Sequence, residues 1–230
     1  MMKKKNLRHF IDLNLIDTKI IRRLLDLGHE IKKNKINKML KNKTLAMIFE
    51  KPSTRTRVSF EIGMKQLKGD VVILDQNDTQ LGRGESIQDT IKVMSEYVDI
   101  IMYRGSSEER LNEIVKTSEV PIINGLTNNS HPCQIMADLL TLEEKYKNLN
   151  NLIITWIGDG NNVCNSWIHS VNHFDFKLRI CTPKDYKPKN KELEKVKNKK
   201  NIELYEDPRI AAKDSNVIVT DTWVSMGMKN

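Results

Sequence analysis

The sequence predicts an α/β fold: two parallel-sheet βαβ domains, the second incomplete at its C-terminal end. Three observations lead there. Short apolar runs recur along the chain, helical apolar patterns lie between most of them, and polar or glycine-containing turns follow the runs directly. Parallel strands need helical crossovers and are covered on both faces, so they read as continuous apolar runs rather than as alternation.

In chain order, Ile20, Leu24, Leu27 and Ile31 recur at the helical period, and Asp17 with Thr18 offers a cap for that helix. A Lys/Asn-rich connection follows. Strands are then expected at 45–49, 71–74, 100–103 and 122–123, and again at 152–157, 178–181 and 217–220. Helices are expected at 54–67, 86–97, 107–118, 132–146 and 163–173. The polar stretch 145–151 falls where a helix ends and a strand begins, which divides the chain into domains at 1–147 and 148–230. Asn230 comes soon after the last apolar run, so the second sheet is expected to lack a closing helix.

In such sheets ligands bind beyond the carboxyl ends of the strands, and the residues there carry chemistry. After 45–49 comes Ser53-Thr54-Arg55-Thr56-Arg57, opening a helix. Unpaired N–H groups at a helix start, the positive end of its dipole, hydroxyls and a guanidinium together suit a phosphate. Arg55 and Arg57 diverge on a helix, and Arg55 is the one expected to reach the ligand. Arg104 ends the strand at 100–103, and Gly105 follows it. His131-Pro132-Cys133-Gln134 opens a further helix; His131 and Gln134, three apart, share a face, whereas His131 and Cys133 do not form a nucleophile pair. Gly158-Asp159-Gly160-Asn161-Asn162 lacks the third glycine of a dinucleotide fingerprint and reads as a tight turn, with Asn162 offering an amide to a carboxylate or amine. Asp221 offers a counter-charge to an amine, with Ser225 and Met226 just beyond.

Composition narrows the function classes. The net charge of +8 comes mostly from lysines scattered among asparagines, densest at 3–5, 32–43 and 184–200. No aromatic stacking series accompanies them, so a solvated surface is expected rather than a nucleic-acid interface. Cys133, Cys164 and Cys181 form no CxxC pair, which predicts neither a disulfide framework nor a metal site, and fits a reducing cytoplasm. No signal peptide or membrane span is legible, and no cofactor is expected.

Taken together, the segment Ser53 to Arg57, its flanks Phe49 to Pro52 and Val58 to Glu61, the segment His131 to Gln134 and the turn Gly158 to Asn162 resemble the aspartate/ornithine carbamoyltransferase family in the same order. Asp221-Thr222-Trp223-Val224-Ser225-Met226-Gly227 resembles that family's ornithine-binding signature. The resemblance implies transfer of a carbamoyl group from carbamoyl phosphate to the side-chain amine of L-ornithine in arginine biosynthesis. It implies that Ser53, Thr54, Arg55, Thr56, Gln80, Arg104, His131 and Gln134 hold carbamoyl phosphate, with Gln80 reaching in from a neighbouring subunit of a homotrimer. It assigns Asn162, Asp221, Ser225 and Met226 to ornithine, and Arg55, Arg104 and His131 to stabilising charge on the carbonyl oxygen.

Family members continue to a His-Cys-Leu-Pro segment not present among these 230 residues, from which little turnover by this chain is expected. Two alternatives stay open: a carbamoyltransferase for another amine, such as an acylated ornithine or putrescine, and a non-catalytic binding subunit.

Overall fold

A computed structural model describes residues 7–33, 39–75, 80 and 84–222. The chain forms two compact units that do not follow chain order. One comprises residues up to Ile11 with Leu27–Thr127, the other Asp12–Asp26 with the chain from Asn128 onward.

Helix α1 (Thr18–Lys32) is opened by Asp17, whose Oδ1 accepts the Lys19 N–H at 2.8 Å. Its period is the expected one, yet the buried stripe is offset by one residue, with Ile21 and Leu25 inside and Ile20 and Leu24 exposed. Arg22 helps to set this rotation, because its guanidinium binds both oxygens of the Glu143 carboxylate.

The first unit is built on β1 (Thr44–Phe49), α2 (Arg55–Gln66), β2 (Asp70–Asp75), α3 (Ile87–Tyr97), β3 (Ile100–Arg104), α4 (Glu108–Thr117) and β4 (Ile122–Leu126). Its sheet is parallel, in the order β2-β1-β3-β4. Side chains alternate across the strands and fill two cores. Ala46, Ile48, Ile101 and Tyr103 pack with Ile87, Ile91, Leu111 and Ile114 of α3 and α4. Leu45, Met47, Phe49 and Met102 pack with Met64 of α2. Each fully buried aliphatic side chain contributes about 1.5–3 kcal/mol by leaving water. Beyond β4 the N-terminal stretch adds a bridge unforeseen in the sequence, where Phe10 N–H donates to Ile122 C=O and Asn124 N–H donates to Phe10 C=O.

The second unit holds α5 (Pro132–Tyr146), β5 (Ile153–Ile157), α6 (Asn162–Ser170), β6 (Lys177–Cys181), α7 (Asn190–Glu194), β7 (Ile202–Tyr205), α8 (Pro208–Ala212) and β8 (Val217–Val219). Its sheet is also parallel, in the order β7-β6-β5-β8. Strand β7 and the five-residue helices α7 and α8 are not legible in sequence. As an edge strand with Leu204 exposed, β7 needs no continuous apolar run, and α7 and α8 are too short to show a period.

The strand orders matter for function. In each sheet the direction of winding reverses once, and such a switch point opens a crevice at the carboxyl ends of the two flanking strands. In the first unit those strands are β1 and β3, with Phe49 registered beside Arg104. In the second they are β5 and β8, which lead into Gly158–Asn162 and Asp221.

Candidate active site

In the first unit, α2 begins at an N-cap, Thr54, whose side chain makes no capping hydrogen bond. The N–H groups of its first turn are therefore not engaged by the cap and face an incoming acceptor. Thr56 lies in that turn, and its Oγ1 accepts a hydrogen bond from Arg104 Nη1 at 3.0 Å. Arg104 is only 8% exposed, and its buried Nε has no partner among the described residues. Burial first, and then the nearby charge of Arg55, push its pKa below the usual arginine value. Arg57 instead acts on Glu61, one turn along the helix, where Lys65 also pairs. Ser53 is half-buried, while Thr54 and Arg55 are exposed. The charge of Arg55 thus acts on Arg104, and among the described residues no carboxylate pairs with Arg104.

A supporting network lies behind this pair, and sequence reading missed it. Glu50 accepts the Tyr103 hydroxyl at 2.6 Å and Arg110 Nη1 at 2.5 Å, while its N–H donates to Arg104 C=O at 2.9 Å. Burial and the Glu50 carboxylate raise the Tyr103 pKa, so the phenol stays protonated as a donor. An acid directly after a strand was the available signal, but its partners are 53 and 60 residues away. Gln80 is exposed, and its carbonyl accepts the Glu85 N–H.

In the second unit, His131 is the N-cap of α5 with Pro132 at the first helical position, as its sequence suits. The His131 N–H donates to Ser166 Oγ at 2.8 Å. Gln134, on the first turn, is exposed and donates through Nε2 to Asp138 at 2.9 Å. Burial pushes the Cys133 thiol up to about 12, which leaves it a poor nucleophile at neutral pH.

The turn after β5 is tight because Gly160 N–H donates to Tyr186 C=O at 2.6 Å, and a Cβ on Gly160 would meet the Pro188 backbone at 2.3 Å. Asn161 caps α6, its Oδ1 accepting from the Val163 and Cys164 N–H groups. Its Nδ2 donates to Asp221 Oδ2 at 3.0 Å. Asn162 is the first residue of α6 and half-buried; Asn161, not singled out in the sequence, is bonded to the exposed Asp221. Ser225 and Met226 lie outside the described residues.

Among the described residues no helix is long and apolar enough to cross a membrane. Residues 8–144 match the carbamoyl-P binding domain of the aspartate/ornithine carbamoyltransferases, and residues 150–230 match the Asp/Orn binding domain. The ornithine carbamoyltransferase of Ruthia magnifica subsp. Calyptogena magnifica is 46% identical over 227 residues, covering 97% of this chain and 75% of the relative. That of Syntrophotalea carbinolica is 50% identical over 205 residues, covering 89% and 68%. Among solved structures, ornithine carbamoyltransferase from Pyrococcus furiosus is similar at a TM-score of 0.89 and 40% identity, covering 96% of this chain and 73% of that one. The anabolic ornithine carbamoyltransferase from Campylobacter jejuni is similar at 0.89 and 39%, covering 96% and 75%.

Proposed function

The chain belongs to the aspartate/ornithine carbamoyltransferase family, and from that membership we propose that it transfers the carbamoyl group of carbamoyl phosphate to the side-chain amine of L-ornithine, giving L-citrulline and phosphate. The observation that carries the reading is Arg104, a buried guanidinium beside the charge of Arg55, held on the first turn of a helix and paired with no described carboxylate. Burying a charge is costly unless it is paired. A phosphoryl dianion supplies the missing charge, and each charge-assisted hydrogen bond to it contributes about 1.5–3 kcal/mol.

In this reading Ser53, Thr54, Arg55, Thr56, Gln80, Arg104, His131 and Gln134 hold carbamoyl phosphate, and residues 1–147 form its domain along the sequence, although residues 12–26 and 128–147 of it fold with the second compact unit. Asn162, Asp221, Ser225 and Met226, in residues 148–230, take ornithine, with Asp221 as counter-charge to an ammonium group. The neutral side-chain amine attacks the carbamoyl carbon. The new N–C bond forms, the C–O bond to phosphate breaks with its electron pair leaving on phosphate, and the nitrogen passes its proton to that departing phosphate. Arg55, Thr56, Arg104 and His131 donate to the carbonyl oxygen as charge grows there, while the start of α2 stabilises the departing phosphate. Relatives named ornithine carbamoyltransferase at 44–50% identity support the transfer reaction itself; the proposal adds a cytoplasmic homotrimer that needs no cofactor and works in arginine biosynthesis.

The test is transfer of radiolabelled carbamoyl groups to ornithine, an acylated ornithine, putrescine and aspartate. Turnover is expected to be slow, with label in citrulline and ornithine as the preferred acceptor. Faster transfer to another amine would reassign the substrate, and tight binding of carbamoyl phosphate without any transfer would make the chain a binding subunit.

A further inference from the structure

His131 is held from one side by a single helix. The Ser166 hydroxyl oxygen, fully buried on α6, accepts the His131 N–H at 2.8 Å. The preceding residue of the same helix, Asn165, is 5% exposed and donates through Nδ2 to the Asn129 carbonyl at 3.0 Å. Two neighbouring side chains thus secure both ends of the 129–131 turn that delivers His131 to the start of α5.

A second observation marks the place. Among the described residues Asn165 Oδ1, which is buried, has no partner, and buried polar atoms in native proteins are nearly always satisfied. Such a departure concentrates where position, rather than stability, is being selected. Asn165 is also one helical turn from Asn161, since its N–H donates to Asn161 C=O at 2.9 Å. Asn161 in turn caps the helix and holds Asp221.

We propose that Asn165 and Ser166 are positioning residues for the reaction: they set His131 by pinning its turn to α6, the helix whose start carries the ornithine contacts. The inference rests on the functional reading above, in which His131 binds carbamoyl phosphate and Asp221 binds the amino acid. A hydrogen-bonded helical turn is stiff, so α6 holds the two sets of contacts at a constant spacing.

Two substitutions test it in the full chain. Ser166→Ala removes the acceptor of the His131 N–H, and Asn165→Asp places an oxygen where Nδ2 donates to Asn129. Each variant, and the unaltered chain, is titrated calorimetrically with carbamoyl phosphate and separately with L-norvaline, which keeps the α-amino and α-carboxylate groups of ornithine but lacks the reacting amine. Carbamoyl phosphate affinity is expected to fall about tenfold, the scale of one lost buried hydrogen bond, with norvaline affinity unchanged. Ser166→Thr, which keeps a hydroxyl acceptor, is expected to retain most of the carbamoyl phosphate affinity. Equal weakening of both ligands would show a merely structural role and overturn the proposal, as would unchanged affinities. Absence of carbamoyl phosphate binding by the unaltered chain would remove the functional reading and this inference with it, whereas binding that both variants leave intact removes the inference alone.

Discussion

Arg104 and Thr56 are joined by a 3.0 Å hydrogen bond that ties the carboxyl end of β3 to the first turn of α2. The guanidinium would otherwise be free to turn away from the helix start, because its buried Nε has no partner among the described residues. Thr56→Val keeps the branched shape and removes the acceptor. Carbamoyl phosphate affinity is expected to fall about tenfold, measured by calorimetry, with no comparable loss for the amino-acid ligand. An unchanged affinity would show that Thr56 does not orient Arg104.

Arg55 and Arg104 repel each other in the ligand-free chain, since the Arg55 charge lowers the Arg104 pKa. Removing one member should therefore separate activity from stability. Arg55→Ala is expected to lower kcat by about two to three powers of ten, the usual loss for one donor to a developing oxyanion. Its thermal midpoint without ligand should stay level or rise. A variant that loses stability in proportion to activity would contradict this.

His169 lies fully buried with one ring nitrogen 2.9 Å from Asp12 and the other 2.8 Å from Glu192. Both nitrogens can donate only from the protonated ring. Burial lowers the His169 pKa, but the hydrogen bonds to Asp12 and Glu192 outweigh it and raise the pKa above 6.5. The resulting stabilisation is complete below 6.5 and is lost as pH rises through the folded-state value. Glu192, held down to about 2 against burial by His169 and Lys195, contributes above its ordinary 4.5 and loses that contribution as pH falls toward 2. The half-buried His173, whose pKa burial lowers, acts in the opposite sense to His169. Urea unfolding of the wild type and His169→Asn across pH isolates the effect: their difference in stability should shrink on the alkaline side. A constant difference would mean that the ring is not protonated.

Gly105 has no room for a side chain, because a Cβ would sit 2.1 Å from the Tyr103 hydroxyl oxygen and 2.6 Å from Glu50 Oε2. Gly105→Ala must push apart the pair that braces Arg104, at an expected cost of about 1–3 kcal/mol in denaturant unfolding. Tyr103→Phe, which removes the hydroxyl but not the ring, should restore part of this when combined with Gly105→Ala. Strict additivity of the two changes would argue against the clash.

Local order is legible in the chain itself. The strands at 45–49 and 71–74 and the helix after Ser53 are written in periodicity and end signals a few residues long, and the hydroxyl- and arginine-rich start of α2 is a contiguous motif. The rotation of α1 is not legible, because a one-residue offset of the buried stripe depends on what the helix packs against. Nor is edge strand β7, which has too few covered positions to display a pattern.

The sequence by itself determined the parallel α/β class, the order of its elements and the residues equipped to bind an anion, all of which follow from nearest-neighbour sterics and the spacing of apolar side chains. Only the tertiary structure decided which groups meet: Glu50 with Arg110 across 60 residues, Asn161 with Asp221 across 60, and Asp12 with His169 across 157. Such pairs depend on strand order and helix rotation, set by burial of the whole core, and no short stretch of chain contains that information.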